Sequence, residues 1–229
     1  MERQRLESIL DETERALAAG RPVELGELGF WKAVGEVKRR PEWVEEYADR
    51  IGALDRRAFE QRVSLTFSPP VGNAILSLGA LAGLVLVWGA GRARSPWNVL
   101  LLLGGAGALL GSTHGLAHVL VGKVVGIRFT HWFLDGPTRL QPGAKIDYAS
   151  YLRTPPRSRA VMHASGAVVT KVVPFLLLPT ARAPRWVTRA LAAVGLGQIV
   201  TDLTFSVRLS DWKRFRREMR VARRLEGAG

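Results

Sequence analysis

Apolar positions in this chain fall into two regimes that change abruptly near residue 68. Before that point they recur at helical spacing among charged residues. Residues 2–18, 25–39 and 41–64 read as short amphipathic helices, the first ended by Gly20 and Pro22 and the third opened by Pro41. Their apolar content is thin: Leu6, Ile9, Leu10, Leu17, Phe30, Trp31, Val34, Trp43, Val44, Tyr47, Ile51 and Leu54. A set that small predicts a region that packs on a membrane domain or a partner instead of building a large core of its own.

After residue 68 the pattern is continuous apolar sequence. PVGNAILSLGALAGLVLVWGAG (70–91) and PWNVLLLLGGAGALLGSTHGLAHVLVG (96–122) contain no Asp, Glu, Lys or Arg, and each exceeds the roughly 20 residues that cross a bilayer. RAVMHASGAVVTKVVPFLLLPTA (159–181) and RWVTRALAAVGLGQIVTDLTFSV (185–207) are less pure, with Lys171 in one and Asp202 in the other. The expectation is an all-α integral membrane protein with four transmembrane helices and a short helical cytoplasmic N-terminal region. The competing pattern, a soluble bundle of four buried helices, fits poorly because 96–122 is long for a core helix. The organisation expected is 1–68 as the helical N-terminal region, 69–208 as the membrane domain and 209–229 as a basic juxtamembrane tail.

Charge sharpens this picture. Residues 1–68 hold 12 Lys/Arg against 14 Asp/Glu, whereas the remainder holds 21 against 6. Lys123, Arg128, Arg139, Lys145, Arg153, Arg157, Arg208, Lys213, Arg214, Arg216 and Arg217 flank one side of the four runs. Arg92, Arg94, Arg182, Arg185 and Arg189 flank the other. By the positive-inside rule both termini lie in the cytoplasm and the chain sits in the cytoplasmic membrane. The N-terminal stretch ERQRLESILDETERALAAG is polar and shows no export signal. The basic tail LSDWKRFRREMRVARRLEG predicts attraction to anionic lipid headgroups, and no base-reading fold accompanies it to suggest nucleic acid. With no cysteine in the chain, disulfides and thiolate metal sites are excluded.

Within the loop 123–158, Ile127–Leu134 and Ala144–Leu152 have alternating or aromatic-rich character and are split by Gly-Pro and Pro-Gly signals. They predict a short β-hairpin at the membrane surface. An interfacial loop anchored by Trp132, Tyr148 and Tyr151 is the alternative, with His131 at the interface.

The chemistry-bearing feature is STHGLAHVL (112–120). His114 and His118, four residues apart, share one face of a helix about one turn apart, a geometry by which two imidazoles bind one zinc ion. Counted from the cytoplasmic end of its helix, His118 lies about 5 Å deep and His114 about 10 Å. Asp202 and His163 fall in the same layer, about five and four residues from that surface. Ionisable groups inside a membrane are costly and usually face one another or a wet cavity, which makes Asp202 the third ligand by depth. The alternative is a metal-free polar cluster in which Asp202 pairs with Lys171 and the histidines bond to backbone, Thr113 or Ser165.

These features resemble the site-2 protease family of intramembrane zinc metalloproteases, whose members carry HExxH on one membrane helix, a small-residue segment around Gly-Pro on another and an aspartate on a third. His114 and His118 match the two histidines, and Ala164-Ser165-Gly166-Ala167 resembles the glycine segment without its proline. The family's Leu-Asp-Gly pattern, placed on LSDW (209–212), selects Asp211 instead of Asp202. The resemblance implies one zinc and a membrane-embedded protein substrate or partner. It also implies that strands beside the site hold an extended substrate. Gly115 departs from it, because the family has there the glutamate that moves the proton of the metal-bound water. The expected protein is therefore a metalloprotease-like membrane protein with impaired or altered proteolysis, in which Asp202, Asp211 or His163 is left to act as base. The alternative is a non-catalytic scaffold of the same fold that binds a partner.

Overall fold

A computed structural model describes residues 1–20, 22–134, 142–180, 184–204 and 210–227. In chain order its elements are α1 (Arg3–Ala18), α2 (Phe30–Val37), α3 (Pro41–Arg62), β1 (Thr66–Phe67), α4 (Pro69–Ala90), α5 (Trp97–Val124), β2 (Phe129–Phe133) and β3 (Gly143–Ile146). They are followed by α6 (Tyr148–Arg153), α7 (Pro156–Leu176), a 3-10 turn (Leu178–Thr180), α8 (Arg185–Thr204) and α9 (Asp211–Glu226). The chain divides into two compact units. The first comprises residues 1–68, 123–159 and 218–229; the second comprises 69–122 and 160–217. The break at residue 68 coincides with the change in sequence pattern, while the 123–159 segment and the chain's end cluster with the N-terminal helices.

The first unit has a core of its own, contrary to the expectation from its thin apolar content. Leu6, Ile9, Leu10 and Leu17 of α1 recur at three-to-four-residue spacing, so one stripe of α1 is buried against Phe30 and Val34 of α2 and Trp43, Tyr47 and Ile51 of α3. Of the twelve apolar residues read from the sequence, Trp31 alone is exposed. The core closes because Leu152, from the distant loop, joins it and because α6 lies on α3. At Gly52 a Cβ would meet Ala149 Cβ and N at 2.9 Å. Position in sequence concealed that contribution.

The expected hairpin is present in part. β2 pairs antiparallel with β3, and β1, not foreseen, adds a third strand in the order β1-β2-β3. Residues 148–153, expected to continue the second strand, are helical instead. Asp147 sits at the N-cap and its carboxylate accepts from the Ser150 N–H at 3.3 Å, which favours a turn of helix over a continued strand. Burial pushes the Asp147 carboxyl up, but the Ser150 hydrogen bonds, with Arg56 and Arg128 beside it, hold it below the ordinary range. The Gly-Pro signal at 136–137, Asp135, Arg139, Arg182 and Arg208 lie outside the described residues, whereas Gly143 of the Pro-Gly signal opens β3.

A buried ion triad fastens the chain's end into this unit. Glu218, with no exposure, lies 2.7 Å from Lys38 Nζ and 2.9 Å from Arg159 Nε, and both cations are also buried. Arg159 Nη1 donates to the Leu152 carbonyl at 3.2 Å, and Lys38 Nζ stands 4.6 Å from the centre of the Tyr151 ring. Desolvating three charges is tolerable only with partners this close; removal of any one would strand the others.

In the second unit α4 and α5 are long and apolar enough to cross a membrane. In each, only a minority of the most apolar eighteen residues is buried inside the protein, 22% and 33%, whereas a core helix of a soluble domain would be mostly buried. They meet backbone to backbone. A Cβ on Gly83 would stand 2.8 Å from Leu109 Cγ and 3.0 Å from the Gly105 carbonyl oxygen, and one on Gly105 would meet the Gly83 oxygen at 2.9 Å. Small residues at a crossing permit this approach. A second cluster, with Leu102, Ala106 and Leu109 of α5, joins Val173 and Leu177 to Val187 and Leu191 of α8. Leu78, Leu84, Trp88, Leu100, Leu176, Leu196 and Val200 remain outside it, more than half exposed.

Gly83→Leu is therefore expected to force α4 off α5. Overpacking of this kind costs about 1–3 kcal/mol, read as a lowered thermal midpoint of the detergent-solubilised protein. Leu78→Ala, on an outward position, is expected to leave the midpoint within a degree or two of the parent.

Candidate metal centre

Helix periodicity brings the two histidines of α5 together. Their rings stand 4.8 Å apart, centre to centre, and almost perpendicular, at 87°. Opposite them is Asp211, the first residue of α9, where a carboxylate gains from the unpaired N–H groups and dipole of the helix start. Its Oδ2 lies 3.3 Å from His114 Nε2 and 3.1 Å from His118 Nε2. The three ligand atoms fall within 4.8 Å of one another, close enough to share one metal ion. All three side chains are partly exposed, at 22%, 15% and 17%, so the site is open to an incoming ion.

α7 backs the histidines and fixes what each ring nitrogen can do. His118 Nδ1 is 2.8 Å from the Met162 carbonyl oxygen, which also accepts from the Ser165 hydroxyl at 2.7 Å. A carbonyl only accepts, so Nδ1 carries the proton. In neutral His118 the Nε2 lone pair then points at a carboxylate oxygen, which is acceptor against acceptor. His114 Nδ1 is 2.8 Å from Thr170 Oγ1, whose own hydroxyl is 2.9 Å from the Gly166 carbonyl. Gly166 supplies the room: a Cβ there would come within 2.8 Å of His118 Cδ2 and Cε1 and closer still to Nε2. Burial alone would raise the Asp211 carboxyl, but the two histidines set against it hold it far below the usual range. Arg214 Nη1 stands 3.8 Å from its other oxygen.

The site that depth suggested needs one correction. Asp202 does not stand with the histidines; it is paired with Lys171 Nζ, which also donates to the Ala167 carbonyl at 3.0 Å. Asp211, the alternative selected by the Leu-Asp-Gly placement, occupies the third position. Depth defines a layer across the helices but carries no information about which way a side chain faces within it. His163 is buried on α7 yet is not among the three clustered groups. Thr113 bonds to its own helix, at the Leu109 carbonyl, and His131 stacks on Phe59 in the first unit. Sequence reading missed Thr170 and the Met162 carbonyl. The signal for both was their placement four residues to either side of Gly166.

Comparison of the chain with family models, with curated proteins and with solved structures finds no match.

Gly166→Ala is expected to push the His118 ring off the Met162 carbonyl while α7 keeps its helicity. Loss of an outer-shell partner weakens metal affinity roughly 10–100-fold, measurable by competition with a chromophoric chelator. Affinity equal to that of the parent would mean that the glycine has no part in seating the ring.

Proposed function

We propose that the protein is a membrane-embedded metal-binding protein of site-2 protease type, holding one zinc ion through His114, His118 and Asp211, with peptide hydrolysis impaired because Gly115 replaces the acid–base glutamate. The observation that carries this reading is the orientation of His118. With Nδ1–H committed to the Met162 carbonyl, its Nε2 faces Asp211 Oδ2 at 3.1 Å. Either a second proton or a cation must lie between them, and a divalent ion would satisfy both imidazoles and the carboxylate together. Two imidazoles and one carboxylate suit zinc, and three protein ligands leave a fourth position for water or another oxygen ligand. Bound there, zinc would act as a Lewis acid and acidify a bound water. Met162 and Thr170 would orient the imidazoles.

Four spanning helices complete the reading. α7 and α8 present Val161, Val168, Leu176, Val194, Leu196 and Val200 outward, in keeping with a lipid environment around all four long helices of the second unit. Both termini and the 123–158 loop are then cytoplasmic, and the exposed cations of α9 face anionic headgroups. A membrane protein is the substrate class or partner that such a cleft would meet. Gly115 favours a second reading, a non-catalytic scaffold of the same fold whose histidines and Asp211 form a metal-free polar cluster.

Elemental analysis of detergent-purified protein separates the two. About one zinc per chain is expected, lost in the His114→Ala/His118→Ala double variant, strongly reduced in Asp211→Asn and retained in Asp202→Asn. Zinc no higher than in the double variant would leave only the scaffold.

The absence of cysteine makes topology directly testable. A single cysteine at Ala93, between α4 and α5, is expected to react with an impermeant maleimide in intact cells, and one at Gly227 only after the membrane is opened. The reverse pattern, or equal labelling of both, would refute the four-span orientation.

A further inference from the structure

Met162, Gly166 and Thr170 are spaced by four along α7 and therefore lie on one face of that helix. That face supplies, in order, the acceptor for His118 Nδ1, the space for the His118 ring and the hydroxyl at His114 Nδ1. We propose that this stripe sets the tautomer of both imidazoles, and that Thr170 is a positioning residue which fixes His114 with its proton on Nδ1 and its Nε2 lone pair turned toward Asp211.

The argument rests on where the Thr170 proton goes. A threonine hydroxyl in a helix commonly donates to the carbonyl four residues back, and Thr170 Oγ1 lies 2.9 Å from the Gly166 oxygen. With its proton spent there, Oγ1 has only lone pairs for His114, so the 2.8 Å contact requires Nδ1–H as donor. In the neutral ring Nε2 is then unprotonated, 3.3 Å from Asp211 Oδ2. The arrangement at His118 is the same, with a carbonyl in place of the hydroxyl. Had Thr170 donated to His114 instead, the ring would carry its proton on Nε2 and donate it to Asp211, which closes that nitrogen to a metal. One hydroxyl rotor thus decides whether His114 is a ligand or a hydrogen-bond donor.

The consequence for affinity rests on the metal-centre reading; the tautomer does not. The test is 15N NMR of histidine-labelled, metal-free protein in micelles, the signals of the four histidines assigned by removing each in turn. Zinc affinity by chelator competition accompanies it. In the parent, His114 is expected as the Nδ1–H form. Thr170→Val, which keeps the side-chain shape and removes the hydroxyl, is expected to shift His114 toward Nε2–H and to weaken zinc binding roughly 10–100-fold. Thr170→Ser, which restores the hydroxyl, is expected to recover both, an outcome that a packing role for the threonine methyl would not produce. His114 found as Nε2–H in the parent, or a His114 tautomer unchanged in Thr170→Val, would overturn the proposal. A parent with the expected tautomer but no zinc binding would remove the metal reading and leave the tautomer assignment standing.

Discussion

A backbone carbonyl cannot donate a hydrogen bond, and the chemistry of the histidine cluster depends on that limit. The Met162 oxygen receives His118 Nδ1 at 2.8 Å, so the other ring nitrogen has no proton unless the imidazole is charged. Charging both imidazoles beside one partly buried carboxylate would leave a net positive charge to be desolvated in a unit that carries 69–122 without any counter-charge. With both imidazoles neutral, lone pairs from His114, His118 and Asp211 converge within 4.8 Å. Such an arrangement is relieved by a cation, which is why the metal-centre reading follows from hydrogen-bond direction more than from the presence of histidines as such.

The parts of the fold that were legible in the sequence are those set by local pattern. The unbroken apolar runs of α4 and α5 and the i, i+4 pairing of His114 with His118 needed only helix geometry. What escaped were features decided by segments remote in the chain. The core of the first unit could not be judged adequate from residues 1–68 because Leu152 completes it. β1 is only two residues long, too short for a pattern, and exists because β2 offers it an edge. The strand expected through residue 152 stops at 146 because Asp147 is a better N-cap than a strand residue. For the acid beside the histidines, depth gave Asp202 and motif placement gave Asp211; Asp211 is the one that stands with them.

The same pairing explains why α7 and α8 are less apolar than α4 and α5. Lys171 and Asp202 each interrupt an apolar run, and they are partners of one another. Ser165 and Thr170 interrupt α7 further; both donate back to carbonyls of their own helix, and Thr170 also meets His114. A polar group on such a helix is tolerable when its hydrogen bonds are met inside the protein. The polar content that weakens α7 as a candidate span is therefore the content that serves the site. A purely apolar α7 would offer neither the Thr170 hydroxyl nor a counter-charge for Asp202.

The glycine at position 115 bears on what such a site could do. Within residues 69–122 and 160–217 the chain has two acidic side chains, Asp202 and Asp211. Asp211 is turned to both histidines and Asp202 is held by Lys171. Neither is free to take a proton from a metal-bound water and return it to a leaving amine, the two transfers that peptide hydrolysis requires. The imidazoles of His114 and His118 would not substitute, because their Nδ1 atoms are engaged with Thr170 and Met162 and their Nε2 atoms would face the metal. A metal held in this way would keep its Lewis acidity and an open coordination position, with Asp202 and Asp211 both otherwise engaged. That combination would suit capture of an oxygen ligand better than its cleavage.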